Sequence, residues 1–166
     1  TGKKAGYCDS GLFATVQDAT IRNIVIDGAT IKITDAKSGD THRVGVLCGT
    51  VRTYQSASVV SNIDIKNATV TTDFPTNQRP QSLSIGGAIG HIYAYNNTTT
   101  TISLVETDST FSFEKGYGVK ELKIAYVIIP ATLSRGTVRI RDLFCARQPA
   151  TATPPSYVMQ RAAELL

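Results

Sequence analysis

The chain has 166 residues, and 42% of them are hydrophobic. Its mean hydropathy is −0.04 and its net charge is +4. This length suits one domain with a real core, and the abundance of Thr, Ser, Val and Ile, with no Trp and one Met, favours strands over helices. No run approaches the roughly 18 apolar residues of a membrane span, so none is predicted. Residues 114–166 hold eight basic and four acidic groups and therefore carry the whole charge excess, which indicates either a solvated face or a surface for an acidic partner.

The first repeating unit follows a lead-in, residues 1–10, that has no periodicity. Residues 11–34 read as three short strands, Gly11–Phe13, Ile21–Ile26 and Ala29–Ile33. Apolar residues alternate in the second and third, which is typical of strands with one buried face. Asp27-Gly28 between them is a turn dipeptide.

The same unit then recurs along the chain. After a polar loop, residues 35–43, the run Val44–Gly49 restates the opening element, and the next two strands overlay on the first copy at a constant shift that places Asn62 on Asn23 and Ile63 on Ile24. Weaker copies follow, and the second and third copies carry inserts (Arg52–Ala57 and Tyr93–Thr101) that we expect at outer corners. The elements of the third and fourth copies are Ile85–Gly90, Ile102–Val105, Thr110–Phe113, Tyr126–Ile129 and Gly136–Ile140.

This repeat predicts an all-β solenoid, a parallel β-helix of about four turns over residues 1–146. Each unit forms one turn, and equivalent strands pair in parallel so that like residues stack. The predicted ladders are Ile24/Ile63/Leu104 and Ile31/Val70/Phe111, with an Asn23–Asn62 amide ladder at a corner. The alternative is an antiparallel sandwich of about ten strands, which needs no repeat.

The C-terminal residues 147–166 read as a Pro/Thr-rich linker and a short helix. Ser156 is placed to cap a helix over Tyr157–Leu166, with Val158 and Leu165 near one face. We expect this segment to pack on a neighbouring copy or another subunit, or alternatively to cap its own coil. The candidate partner contacts are Arg135, Arg139, Arg141, Arg147, Tyr157, Val158 and Leu165.

The residues of the repeat also resemble a known class. Gly11-Leu12-Phe13, Ala19–Ile24 and Val44–Gly49 resemble the GLUG-type repeats of large surface proteins, and Ile85–Gly90 is similar to their second element. The resemblance covers roughly residues 11–113 and departs from the pattern at Ala14 and Cys48, where Gly is commoner. It implies a right-handed parallel β-helix in an extracellular or cell-surface stalk, adhesin or filament.

No catalytic pattern accompanies this fold. No carboxylate stacks on another in the overlay, and His42 and His91 lack a nearby triad pattern. Cys8, Cys48 and Cys145 have no metal-binding spacing, so no metal or cofactor is predicted, although a Cys8–Cys48 or Cys8–Cys145 disulfide is open. The glycine-rich 86–90 segment is no phosphate loop, and no basic-aromatic strip predicts nucleic-acid binding.

The sequence therefore predicts a non-enzymatic structural or adhesive module in a larger or self-associating assembly. The alternatives are a carbohydrate-binding or polysaccharide-degrading β-helix protein and a viral spike or fibre component. Tyr54, Tyr93 and Tyr95, on the two inserts, are the candidate sugar contacts. The candidate glycosylation sites are Asn67, Asn96 and Asn97, which fit the acceptor triplet.

Overall fold

The fold is all-β in the part of the chain that the structure describes. The structure is a computed structural model that describes residues 6–34, 39–72, 82–113, 121–125, 131–134, 136–145 and 158–159. Every regular element within these ranges is a strand. None of the described residues forms a helix of the length and apolarity needed to cross a membrane.

The described strands form three sheets, and within each sheet neighbouring strands pair in parallel. Sheet 1 has the order β1-β5-β8-β11-β14, with bounds Tyr7–Ser10, Thr41–Gly45, Ser82–Gly86, Glu121–Ala125 and Val158–Met159. Sheet 2 has the order β2-β6-β9-β12, with bounds Phe13–Gln17, Cys48–Thr53, Ile89–Tyr95 and Ala131–Ser134. Sheet 3 has the order β3-β7-β10-β13, with β4 also on β7, and its bounds are Thr20–Asp27, Thr30–Ile33, Ser58–Thr72, Thr99–Phe113 and Thr137–Cys145.

Each repeat contributes strands in turn to sheet 1, sheet 2 and sheet 3, and the next repeat adds its strands beside them. The first repeat places two strands, β3 and β4, in sheet 3. The predicted register between the first two repeats is confirmed, because Ile24 pairs with Ile63 and Ile31 pairs with Val70. The antiparallel sandwich is wrong for the described residues, since their ladders run parallel.

The repeated glycine-apolar element is a corner and not, as predicted, the start of a strand. In the second repeat, β5 ends at Gly45, Val46 and Leu47 make the corner between sheets 1 and 2, and β6 starts at Cys48. A Cβ on Gly45 would lie 2.3 Å from the carbonyl oxygen of Cys48 and 2.4 Å from that of Ala88. Glycine is needed here because backbones of the same and the next repeat meet at this corner.

Sheet 1 itself was missed in the first two repeats. Residues 1–10 were predicted as a lead-in and residues 35–43 as a loop, but Tyr7–Ser10 form β1 and Thr41–Gly45 form β5. These strands are short, and their polar residues hide the period-2 signal. In sheet 3, by contrast, the second and third predicted strands of the second and third repeats are continuous, so that β7 and β10 are single strands of 15 residues.

A left-handed corner within sheet 3 carries the predicted amide ladder, which is confirmed. Asn62 Nδ2 donates a hydrogen bond of 2.9 Å to Asn23 Oδ1, and both residues have positive φ, 53° and 59°. In the third repeat the same position is taken by Leu104, with φ 52°, because Val105 and not Leu104 pairs with Ile63. The predicted Ile24/Ile63/Leu104 ladder is therefore wrong at its third member, and Leu104 is 53% exposed.

The core lies between the three sheets and is filled by the inward residues of the second and third repeats. These are almost fully buried, and the largest are Leu47, Ile63, Ile65, Leu83, Ile85, Ile89, Ile92 and Ile102. The equivalent residues of the first repeat, such as Ile24 and Ile31, are only partly buried. They belong to β3 and β4, which among the described residues pair on one side only, with β7.

The predicted C-terminal helix is wrong at the two residues the structure describes. Val158 and Met159 form a strand, β14, that pairs with Lys123 and Ile124 of the same chain. The edge of β11 offers unpaired backbone groups, and a β-branched residue such as Val158 suits a strand. The rest of Tyr157–Leu166, the linker and the fourth-copy segment Tyr126–Ile129 lie outside the described residues.

Candidate functional site

A cleft of about 440 Å³ lies where the outward faces of sheets 1 and 2 meet. This volume lies in the range of small-molecule sites. Sheet 1 contributes residues of β1 and β5, sheet 2 contributes residues of β2, β6 and β9, and the loop after β6 adds one more. The lining residues are Tyr7, Gln17, Arg43, Arg52, Tyr54, Tyr93 and Tyr95.

Three tyrosines form a continuous aromatic wall in this cleft. The rings of Tyr93 and Tyr95 stack with centroids 5.7 Å apart and an interplanar angle of 10°, and Tyr54 meets Tyr95 edge-on at 6.0 Å. Tyr93 and Tyr95 point outward because they alternate along β9 with the buried Ile92 and Ala94. Burial raises the pKa of the Tyr93 phenol above its ordinary value.

A buried arginine lies beside this wall. The guanidinium carbon of Arg43 is 4.1 Å from the ring centroid of Tyr7 and 4.8 Å from that of Tyr93, and its side chain is 3% exposed. Arg43 Nη1 lies 3.5 Å from Asp9 Oδ1, an ion-pair contact without a hydrogen bond at either atom. The side chain of Arg52 is more exposed. Its Nη2 lies 4.0 Å from Asp9 Oδ2, and its guanidinium carbon lies 5.7 Å from the ring centroid of Tyr93. Two guanidinium groups thus share one carboxylate, which leaves a net positive charge.

The loop that carries Tyr54 is held by a carboxylate of the preceding repeat. Asp18 Oδ1 accepts hydrogen bonds from the backbone N–H groups of Tyr54, Gln55 and Ser56, at 2.7, 3.1 and 3.3 Å. These bonds lower the pKa of Asp18, and the bond from Tyr54 has the largest effect. From the other side, Asn96 Nδ2 donates to the carbonyl oxygen of Tyr54 at 3.2 Å. The position of Tyr54 therefore depends on contacts with both neighbouring repeats.

The sequence named three of the seven lining residues. Tyr54, Tyr93 and Tyr95 are brought together as a group, although Tyr93 and Tyr95 lie on strand β9 and not on an insert as predicted. Tyr7 and Arg43 were missed because sheet 1 was missed. With the strands of sheet 1 assigned, alternation around the buried Val44 would have placed Arg43 on the outward face.

The other candidate residues lie away from this cleft or outside the described residues. Arg139 is an exposed residue of β13, whereas only the backbone is described for Arg141 and Val158, and Arg135, Arg147, Tyr157 and Leu165 are not described. Asn67, Asn96 and Asn97 are exposed corner residues with positive φ. The amide of Asn67 donates to Asp27 Oδ1 at 2.9 Å, so two of the three candidate glycosylation amides already hold corners.

This arrangement offers groups that suit a ligand with apolar faces and anionic substituents. Aromatic rings present apolar faces with polar edges, and a guanidinium binds carboxylate or sulfate groups through directed hydrogen bonds. The described lining residues include no carboxylate, and the nearby Asp9 is engaged with both arginines. Acid–base cleavage of a glycosidic bond needs a pair of carboxylic groups across the bond.

Two of the cysteines carry thiols and not a disulfide. These are Cys8, half-buried in β1, and Cys48, fully buried in β6. Burial raises the pKa of Cys48 to about 12, with a smaller contribution from Asp9. Cys48 is therefore an inert apolar residue of the core, as predicted.

Comparisons with protein-family models, curated proteins and solved structures give no match to this chain.

Proposed function

We propose that this chain is a right-handed parallel β-helix of about four turns that serves as an extracellular adhesive module and binds an acidic carbohydrate in the tyrosine cleft. The observation that carries the binding function is the stacked Tyr93–Tyr95 pair beside a buried, positively charged Arg43. The surface location and the GLUG-type assignment rest on the sequence resemblance and belong to the proposal.

The β-helix is supported by the order in which the chain visits the sheets. The first repeat enters sheets 1, 2 and 3 in turn, with both β3 and β4 in sheet 3, and β5 to β13 then pass through the same sheets in the same order three times. A helix of this kind accepts an added turn, because each turn contacts only its neighbours. Duplicating residues 41–81, one repeat at the register of Val44 on Ile85, should give a folded protein with proportionally more strand signal in circular dichroism. An unfolded product would contradict the β-helix.

Carbohydrate binding is supported by ring geometry and charge. Sugar rings present apolar C–H faces that pack on aromatic rings, and the exposed part of Arg52 together with Arg43 favours a ligand with a carboxylate or sulfate. Uronic-acid, sialylated or sulfated glycans fit this chemistry better than neutral ones. Binding should weaken as salt rises, since part of the affinity comes from charge.

A glycan panel tests the proposal. Acidic polysaccharides should bind more tightly than neutral ones, and Tyr93→Ala should weaken binding about 30-fold, equivalent to about 2 kcal/mol. Phe13→Ala is the matched control, since Phe13 is an exposed aromatic that does not line the cleft. Equal loss in both variants, or no binding to any glycan, would refute carbohydrate recognition. Depolymerisation with new unsaturated ends would make the protein an enzyme instead.

The proposal also includes self-association or membership of a larger assembly. Its support is the first repeat, where Leu12 and Val25 are 60% and 65% exposed and the inward residues Ile24 and Ile31 are only partly buried. Unpaired edges of this kind add strands or partner surfaces readily. Light scattering across a concentration series should show growth in particle mass, and a constant monomer mass would contradict assembly.

A further inference from the structure

Three residues with metal-ligating side chains meet at the start of sheet 1. Cys8 of β1 and His42 of β5 are register partners on neighbouring strands. Asp40 directly precedes β5, two positions before His42. A ligand atom from each of the three residues lies within 4.8 Å of the other two.

The cluster interrupts an apolar row of the core. His42 is 5% exposed and alternates with Arg43 of the cleft, so it points inward, as does the fully buried Val44. In the third repeat, the register partner of His42 is Leu83, which is buried. A position that accepts Leu in one repeat does not need an imidazole for packing, and burying a polar ring costs free energy that its contacts must offset.

A thiolate, an imidazole and a carboxylate together suit Zn²⁺. Zinc binds these three groups at roughly 2.0–2.3 Å in tetrahedral sites, which places two ligand atoms roughly 3.5 Å apart. Binding would therefore draw the three ligand atoms together from separations of up to 4.8 Å. Asp40 Oδ1 also accepts a hydrogen bond of 2.9 Å from the backbone N–H of Gly6, a contact that orients the carboxylate as outer-shell partners of metal ligands do.

We propose that Cys8, Asp40 and His42 bind one Zn²⁺ ion, with the fourth position taken by water or another group. Such an ion ties β1, which within the described part of the chain pairs with β5 alone, to the second repeat. The Cys8 thiol releases its proton on binding, so affinity falls at low pH. The sequence does not reveal this site, because its ligands come from two repeats and become neighbours only through strand register.

Metal titrations of the full chain without an affinity tag test this site. Calorimetry should give one Zn²⁺ per chain, and Co²⁺ should give the charge-transfer band of a cobalt thiolate. Cys8→Ser and His42→Leu should each weaken binding by more than the roughly 10- to 100-fold typical of outer-shell changes. His42→Leu reproduces the residue of the third repeat and should fold, which its circular dichroism checks.

Cys48→Ala is the matched control, because it removes a buried thiol that lies outside the cluster. It should leave the stoichiometry and the cobalt band unchanged. Zinc should also raise the melting temperature of the wild type but not that of His42→Leu. Absence of wild-type binding, or equal affinity in the wild type, Cys8→Ser and His42→Leu, would overturn the inference.

Discussion

Replacing Leu104 by Asn should stabilise the protein, because the corner at which it lies is built for asparagine. Leu104 has φ 52° and follows Asn23 and Asn62 in the row of left-handed residues. The left-handed conformation costs a leucine roughly 1–2 kcal/mol, and Asn adopts it more readily. An Asn side chain here also extends the ladder that begins with the 2.9 Å bond between Asn62 and Asn23.

The expected gain follows from three contributions. Relief of backbone strain contributes roughly 1–2 kcal/mol, and an exposed amide hydrogen bond adds about 0.5 kcal/mol. The lost contacts of a leucine that is already 53% exposed cost about 1 kcal/mol. The net gain in unfolding free energy is about 1 kcal/mol, or a rise in melting temperature of roughly 2–4 °C for a domain of this size.

Urea and thermal unfolding of the wild type and of variants at Leu104 test this reasoning. Leu104→Gly relieves the strain without adding an amide, and Leu104→Ala removes the contacts without relieving it, so stability should fall in the order Asn, Gly, Ala. Combining Leu104→Asn with Asn62→Ala should remove the hydrogen-bond part of the gain. The corner is not strained if Leu104→Asn is no more stable than the wild type, or if Leu104→Ala is as stable as Leu104→Asn.

Two further predictions concern backbone fit and pH. Gly45→Ala should lower the unfolding free energy by about 2 kcal/mol or more in urea unfolding, because the added Cβ meets backbone oxygens at 2.3 and 2.4 Å. Gly28 has φ 71° and open space around it, so Gly28→Ala should lower the unfolding free energy by only about 1 kcal/mol. Equal losses in the two variants would refute the close-contact argument. The pKa of Asp18 is lowered below its ordinary value of 3.8, so its hold on the Tyr54 loop is complete above that pH and is lost as pH falls through the lower folded-state pKa. The amide proton resonance of Tyr54 should report this titration in NMR spectra and should not do so in Asp18→Asn; the same titration in both proteins would contradict it.

Sequence periodicity predicted the part of the fold where a strand buries one apolar face. Ile24 and Ile26, like Ile63 and Ile65, have the period-2 spacing of inward residues, and the pairing of Ile24 with Ile63 was predictable from the repeat alone. Sheet 1 was not, because β1 has four residues and its outward Tyr7 and inward Cys8 carry no periodic signal. The predicted register of the third repeat was wrong by one residue at Leu104, because an apolar residue at an exposed left-handed corner has the same sequence signal as a core residue.

The candidate site was predictable only in its aromatic part. Tyr54, Tyr93 and Tyr95 stand out because they lie on segments that the sequence predicts as inserts, and outer loops commonly carry binding residues. Arg43 gave no such signal, because its role depends on Tyr7 of one neighbouring repeat and Tyr93 of the other. Sites assembled across parallel strands are invisible to local motifs until the register is known.

The parallel register also has a consequence for how fast the chain folds. Paired residues are separated by a nearly constant interval, from 34 positions for Tyr7 and Thr41 to 42 for Val60 and Ile102. The loop-closure entropy is therefore almost the same at every step, since it grows only with the logarithm of loop length. We expect the first pairing of two repeats to limit the rate, and each later repeat to add to a formed edge at similar cost. Lengthening the protein by whole repeats should then slow its unfolding while leaving its folding rate almost unchanged.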